Sequence, residues 1–151
     1  MRLDIWGVRL RRWRPRIIAL IWAAYAALTS MAYMGARPEQ LEVPRTILPV
    51  SLWAAWATAA TLLTLGALAP PSASPRLRRI ARILRISGLA LIAALLTMWT
   101  EAYFGYGDRG WVSGKNYLAL LVAAGFSAVI AGQDGGGEPW AQKSSSASSP
   151  V

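Results

Sequence analysis

The sequence predicts an all-helical, polytopic membrane protein: a bundle of four transmembrane helices with both termini cytoplasmic. Three observations predict it. Apolar runs recur four times along 151 residues, of which 55% are hydrophobic. Charged residues make up only 15%, against about 25% in a soluble domain, and they crowd into connections and ends. Fourteen of the sixteen basic residues are arginine, and eleven of those fall in two blocks, residues 2–16 and 76–85. Basic connections alternating with neutral ones orient the spans of a multi-pass protein, with arginine inside.

Each element follows in order. Residues 1–16 form a basic segment in which Leu3, Trp6, Leu10 and Trp13 share one helical face, with arginines around it. Such a segment suits the headgroup plane, tryptophan in the acyl boundary and arginine on anionic lipid. Pro15 is expected to bend the chain into the first span. That span, 17–36, is uncharged over twenty residues, about 30 Å of helix and the thickness of a bilayer core. A cleaved signal peptide is the competing reading, with Ser30-Met31-Ala32 as the small-residue site. The basic region is long for that, and the apolar run exceeds the usual signal core. The second span, 47–69, has Pro49 in its first turn, where a missing N–H is harmless, and Pro70-Pro71 at its end. The third is 86–104. The fourth, 113–132, reaches full length only with Lys115 near one end, where its ammonium can snorkel. The tail, 133–151, is rich in Gly and Ser and is expected to be disordered.

Charge and parity agree on topology. The connection with Arg37, Glu39, Glu42 and Arg45 is neutral, as is the one with Glu101, Asp108, Arg109 and Lys115. Both are expected outside. Trp13, Tyr33, Trp53, Trp99, Tyr103, Tyr106 and Trp111 fall near the proposed interfaces, where aromatic belts form. Arg9-Leu10-Arg11-Arg12 recurs as Arg76-Leu77-Arg78-Arg79, each followed by a span ending in an aromatic-Gly turn, which suggests two hairpins of the same orientation.

Composition narrows the chemistry. The chain has no Cys and no His. Disulfides, thiol nucleophiles, imidazole bases and the usual zinc ligands are therefore absent. No nucleotide-binding or hydrolase motif is present, so no catalytic, cofactor or metal residue is assigned and an enzyme is not expected. The net charge of +9 is explained by arginines flanking apolar helices, without a nucleic-acid partner or a small-molecule substrate.

Three groups of residues remain as candidates. The first is a lipid-contacting set: Trp6, Arg9, Arg11, Arg12, Trp13, Arg14, Arg16, Arg76, Arg78, Arg79, Arg82 and Arg85. Anchoring or perturbation of anionic lipid would use these. The second comprises small pairs four apart, Ala23 and Ala27, Ala26 and Ser30, Ala90 and Ala94, Ala124 and Ala128. Such pairs let helices approach closely, within one chain or between copies in a homo-oligomer. The third is Glu101, the one acidic residue within reach of a span. It shares a face with Ala93 and Thr97 and is a possible buried carboxylate or an interfacial one.

At Pro44-Arg45-Thr46-Ile47 the chain resembles small four-span membrane proteins of actinobacterial phages. The likeness extends to length, a basic start, a Pro-x-Thr-Ile approach to the second span and a short tail, over roughly residues 10–131. It departs after Ile47, where Leu48-Pro49 stands in place of an acidic, Gly-containing stretch. Some such phage proteins are regarded as holins, which open the inner membrane so that an endolysin reaches the cell wall. The resemblance therefore implies a self-associating, membrane-permeabilising protein of a bacterial inner membrane. The rival expectation is a membrane scaffold, or a superinfection-exclusion protein that binds another membrane protein.

Overall fold

The computed structural model describes residues 3–35, 51–70, 72–105 and 110–132, with backbone alone at 3–12 and 35. Four helices account for nearly all of them: α1 (Leu3–Gly35), α2 (Leu52–Leu68), α3 (Pro75–Phe104) and α4 (Gly110–Gly132). The connection holding Arg37 to Arg45, Pro49, residues 106–109 and the tail from 133 lie outside the described residues. So do the side chains of Trp6, Arg9, Arg11 and Arg12.

Helices α1, α3 and α4 are long and apolar enough to cross a membrane. Helix α2, the core of the second expected span, has 17 residues, about 25 Å of helix against roughly 30 Å of bilayer core. Its end has a local cause. Ala69 is extended, at φ −60° and ψ 121°, because the ring of Pro70 disfavours helical backbone in the residue before it. Helix α3 starts on Pro75 with Ser74 as its cap, the Leu77 N–H donating to Ser74 Oγ at 3.3 Å. Proline in the first turn gives up only an N–H that has no helical partner.

The expected separate segment at residues 1–16 is corrected. From Leu3 it is the beginning of α1, which runs without interruption through Pro15. Proline leaves one carbonyl of the preceding turn without its helical donor, but the turns on either side stay helical. Helix α1, 33 residues, is about 50 Å long, and α3, 30 residues, about 45 Å. They exceed a bilayer core of roughly 30 Å by about 20 Å and about 15 Å respectively.

The helices pack antiparallel in chain order, α1 beside α2, α2 beside α3 and α3 beside α4; α4 closes on α1 along a narrower seam. Helices α1 and α2 form one extensive pair and α3 and α4 the other. Starts of α1 and α3 thus share one end of the bundle with the ends of α2 and α4. We call it the arginine end, and the opposite one the far end. The core stripe on α1 is Ala19, Ala23 and Ala26; on α2, Trp56, Ala59 and Leu63; on α3, Leu89, Ile92, Leu96 and Trp99. These three- and four-residue steps put each set on one helical face.

Two glycines set the α2–α3 distance. A Cβ on Gly66 would lie 2.7 Å from Arg85 Cγ and 2.8 Å from the Ala81 carbonyl oxygen. One on Gly88 would lie 2.7 Å from Leu63 Cγ. The close crossing exists because both side chains are missing, the same device that brings helices together in lipid.

Candidate functional site

The far half of the interior is filled by aromatic rings from all four helices. Trp99 of α3 is the hub. Its ring lies 5.1 Å from Tyr33 of α1, 5.8 Å from Trp56 of α2 and 4.9 Å from Tyr117 of α4, each edge to face. Tyr103 stacks on Tyr117 at 5.2 Å, and Tyr25 joins Trp56 to Trp22. Offset and edge-on contacts of this kind are favoured by the ring quadrupole. The buried polar or charged side chains among the described residues are Ser30, Arg85 and Thr100. The Trp22 indole N–H donates across the α1–α4 seam to Ser127 Oγ at 2.9 Å. Ser30 Oγ donates to the Trp53 carbonyl at 2.9 Å, tying α1 to α2.

The arginine half is built differently. Its buried side chains include Ala19, Ala67, Ala81 and Ala131, and among them lies one guanidinium. Arg85 is 5% exposed. Its Nη1 donates to the Gly66 carbonyl at 2.9 Å and its Nη2 to the Ala131 carbonyl at 3.4 Å. Gly66 and Ala131 lie in the last turns of α2 and α4, whose final carbonyls have no helical donor. Neither helix carries a basic residue in its last turn. Arg85 therefore supplies from α3 both the hydrogen bonds and the positive charge that two helix C-termini call for.

This corrects the lipid-contacting set. Arg14, Arg76, Arg78 and Arg79 are exposed, Arg16 and Arg82 half-buried, but Arg85 points inward. The Arg16 guanidinium lies 5.1 Å from the Trp13 ring centroid, in cation–π range. The aromatic belt is corrected as well. Trp13, Trp53 and Trp111 face outward, whereas Trp99, at 2% exposed, is core. Tyr33 and Tyr103 are half-buried in its cluster. Sequence position near a helix end did not separate these two fates. Helical phase could have, because Arg85, Ile92 and Trp99 recur at seven-residue intervals on one face, and all three are buried.

The small pairs divide in the same way. Ala26 and Ser30 are both buried, and Ala124 is buried with Ala128 half-buried. Ala23 is buried while Ala27 is exposed, and Ala90 and Ala94 are both exposed. Those last three do not pack within the chain. Glu101 is exposed as well, so its carboxylate is not a group inside the bundle.

Helix α3 has an outer face unlike the others. Ser87, Ala90, Ala94, Thr97 and Glu101, in steps of three and four, are all exposed. No large hydrophobic side chain is exposed on α3 between Ile86 and Phe104. On α1, by contrast, Ile17, Leu20, Ile21, Leu28, Met31 and Met34 point outward. Thr97 Oγ1 donates to the Ala93 carbonyl, and Thr58, Thr61 and Thr64 on the outer face of α2 bond their own preceding turns. Hydroxyls satisfied in this way are tolerated against lipid.

No family model matches the chain, and no curated protein or solved structure matches it either.

Proposed function

We propose that the protein is a four-span integral membrane protein of a bacterial inner membrane, with both termini cytoplasmic, that acts in the manner of a holin. Copies accumulate in the bilayer, associate with one another and permeabilise it during phage lysis. The observation that carries this reading is the contrast between inside and outside. The described interior holds interlocked rings and few buried polar side chains, so a single bundle has little with which to line a polar conduit. The outer face of α3, in turn, presents hydroxyls, methyl groups and a carboxylate where lipid would favour large apolar side chains. Conduction must then arise between copies, and small outward faces are what membrane helices use to associate. The exposed arginines of α1 and α3, overhanging the bilayer at the same end, support placing that end at the cytoplasmic surface, on anionic lipid.

The test is regulated expression in a bacterial host with a potential-sensitive dye. Abrupt loss of membrane potential after a delay, with lysis only when a muralytic enzyme is supplied, is the expected result. Accumulation in the membrane without depolarisation would overturn it. The scaffold or superinfection-exclusion reading predicts that second outcome, together with recovery of one defined membrane partner from detergent extracts.

A further inference from the structure

We propose that Arg85 is the clasp of a hinged bundle, in which the arginine end opens and closes about the aromatic cluster of the far half. The inference rests on the membrane placement of the helices but not on permeabilisation.

The two halves of the interior are held by different means. In the far half, Tyr33, Trp56, Trp99, Tyr103 and Tyr117 interlock through contacts at 4.9–5.8 Å that involve every helix. Separating the helices there breaks several ring pairs at once. At the arginine end, the terminal turns contribute Ala67, Ala81 and Ala131 with one methyl group each and Gly66 with none, and the packed core of Leu63 and Leu89 begins one turn further in. Dispersion is the main attraction between helices in lipid, and it scales with the atoms in contact. The terminal turns at the arginine end therefore have the weaker grip, apart from the guanidinium. Helices α2 and α4 lie diagonally across the bundle, with no close backbone approach between them among the described residues. Arg85 bridges them by holding one carbonyl of each. Opening at this end is inexpensive in polar terms as well. The freed carbonyls belong to final helical turns and can take donors from interfacial water. The guanidinium itself keeps its charge at any accessible pH, so the clasp acts by engagement and release, not by titration.

The absence of native cysteine permits clean distance measurements between paired spin labels in lipid nanodiscs. Leu68→Cys with Ile130→Cys reports the arginine end, and Ser51→Cys with Val112→Cys the far end; all four positions are exposed. In Arg85→Met, which keeps roughly the volume of the apolar stem and removes the guanidinium donors, the Leu68–Ile130 distribution is expected to broaden. Its mean should lengthen, while the Ser51–Val112 distance holds. Gly66→Ala retains the guanidinium but places a methyl against Arg85 Cγ and the Ala81 carbonyl, and it should widen the same end alone. This second variant carries the test if Arg85→Met does not yield folded protein. An unchanged arginine-end distance in Gly66→Ala and any folded Arg85→Met overturns the clasp. Equal lengthening at both ends overturns the hinge.

Discussion

Replacing Trp99 with alanine is expected to destabilise the bundle by about 2 kcal/mol, and the figure can be assembled from its surroundings. Truncating a buried tryptophan in a water-soluble core costs about 3–5 kcal/mol. Much of that is transfer from water, which lapses in a bilayer because lipid tails are as apolar as the core. Packing remains. The ring makes three edge-to-face contacts, each contributing about 0.5–1.5 kcal/mol in measured pairs, or roughly 3 kcal/mol at mid-range. One term offsets this. The Trp99 indole N–H is buried without a hydrogen-bond acceptor, and deleting such a group recovers about 1 kcal/mol. The net, about 2 kcal/mol, corresponds to a roughly 30-fold shift of the folding equilibrium, at ~1.4 kcal/mol per tenfold. The assay is reversible unfolding in bicelles, with Trp111→Ala as the control. Trp111 is 56% exposed, with the Lys115 ammonium 5.1 Å from its ring centroid, and its loss should cost about 0.5 kcal/mol. Equal losses for the two tryptophans would refute the reasoning, because they would make Trp99 an interfacial ring like Trp111.

The close crossing predicts that Gly88→Leu destabilises by about 1–3 kcal/mol through overpacking against Leu63. A Cβ at Gly125 meets nothing within 4 Å, so Gly125→Ala should lie within about 0.5 kcal/mol of the parent, as surface substitutions do; the same unfolding assay reads both. Ser127→Ala removes the acceptor for Trp22 and should cost about 0.6 kcal/mol, the average for membrane hydrogen bonds. Coupling to Trp22→Phe in a double-mutant cycle isolates that contact. Replacing Arg76, Arg78 and Arg79 together with glutamine should weaken the orientation of the second hairpin. Labelling of a cysteine placed in the tail by an impermeant reagent reads this, and the fraction labelled from outside is expected to rise.

Much of the fold was legible in the sequence, since three of four helices carry long uncharged runs and prolines and glycines mark their ends. What escaped was helical phase. Leu77, Ile80, Ala81 and Leu84 have the spacing of a single apolar face. In the bundle Ala81 is buried while Leu77 and Ile80 are 43% and 53% exposed. In a soluble helix, apolar periodicity marks the inward side because the outward side must be polar. A membrane helix has lipid outside, so both sides are apolar and the contrast fades. Small residues then become the better guide, and even they are ambiguous. Ala26 and Ser30 face α2 while Ala90 and Ala94 face outward, although each pair has the same spacing and similar chemistry.

The second arginine block shows how far one residue type can be redirected by position alone. Arg78, Arg82 and Arg85 follow one another at steps of four and three, which places them on a single side of α3. Going along that side, Arg78 is exposed, Arg82 half-buried and Arg85 buried. The chemistry does not change; the neighbours do. Helix α3 overhangs the last turns of α2 and α4, so Arg78 stands beyond their reach, whereas Arg85 lies level with Gly66 and Ala131 and bonds the carbonyls of both. One turn further, the same side carries Gly88, Leu89 and Ile92, and it ends at Trp99. An exposed charge and a charge that joins helices thus occupy one face two turns apart. The divide falls where the adjacent helices stop, and in α2 that point is set by Pro70.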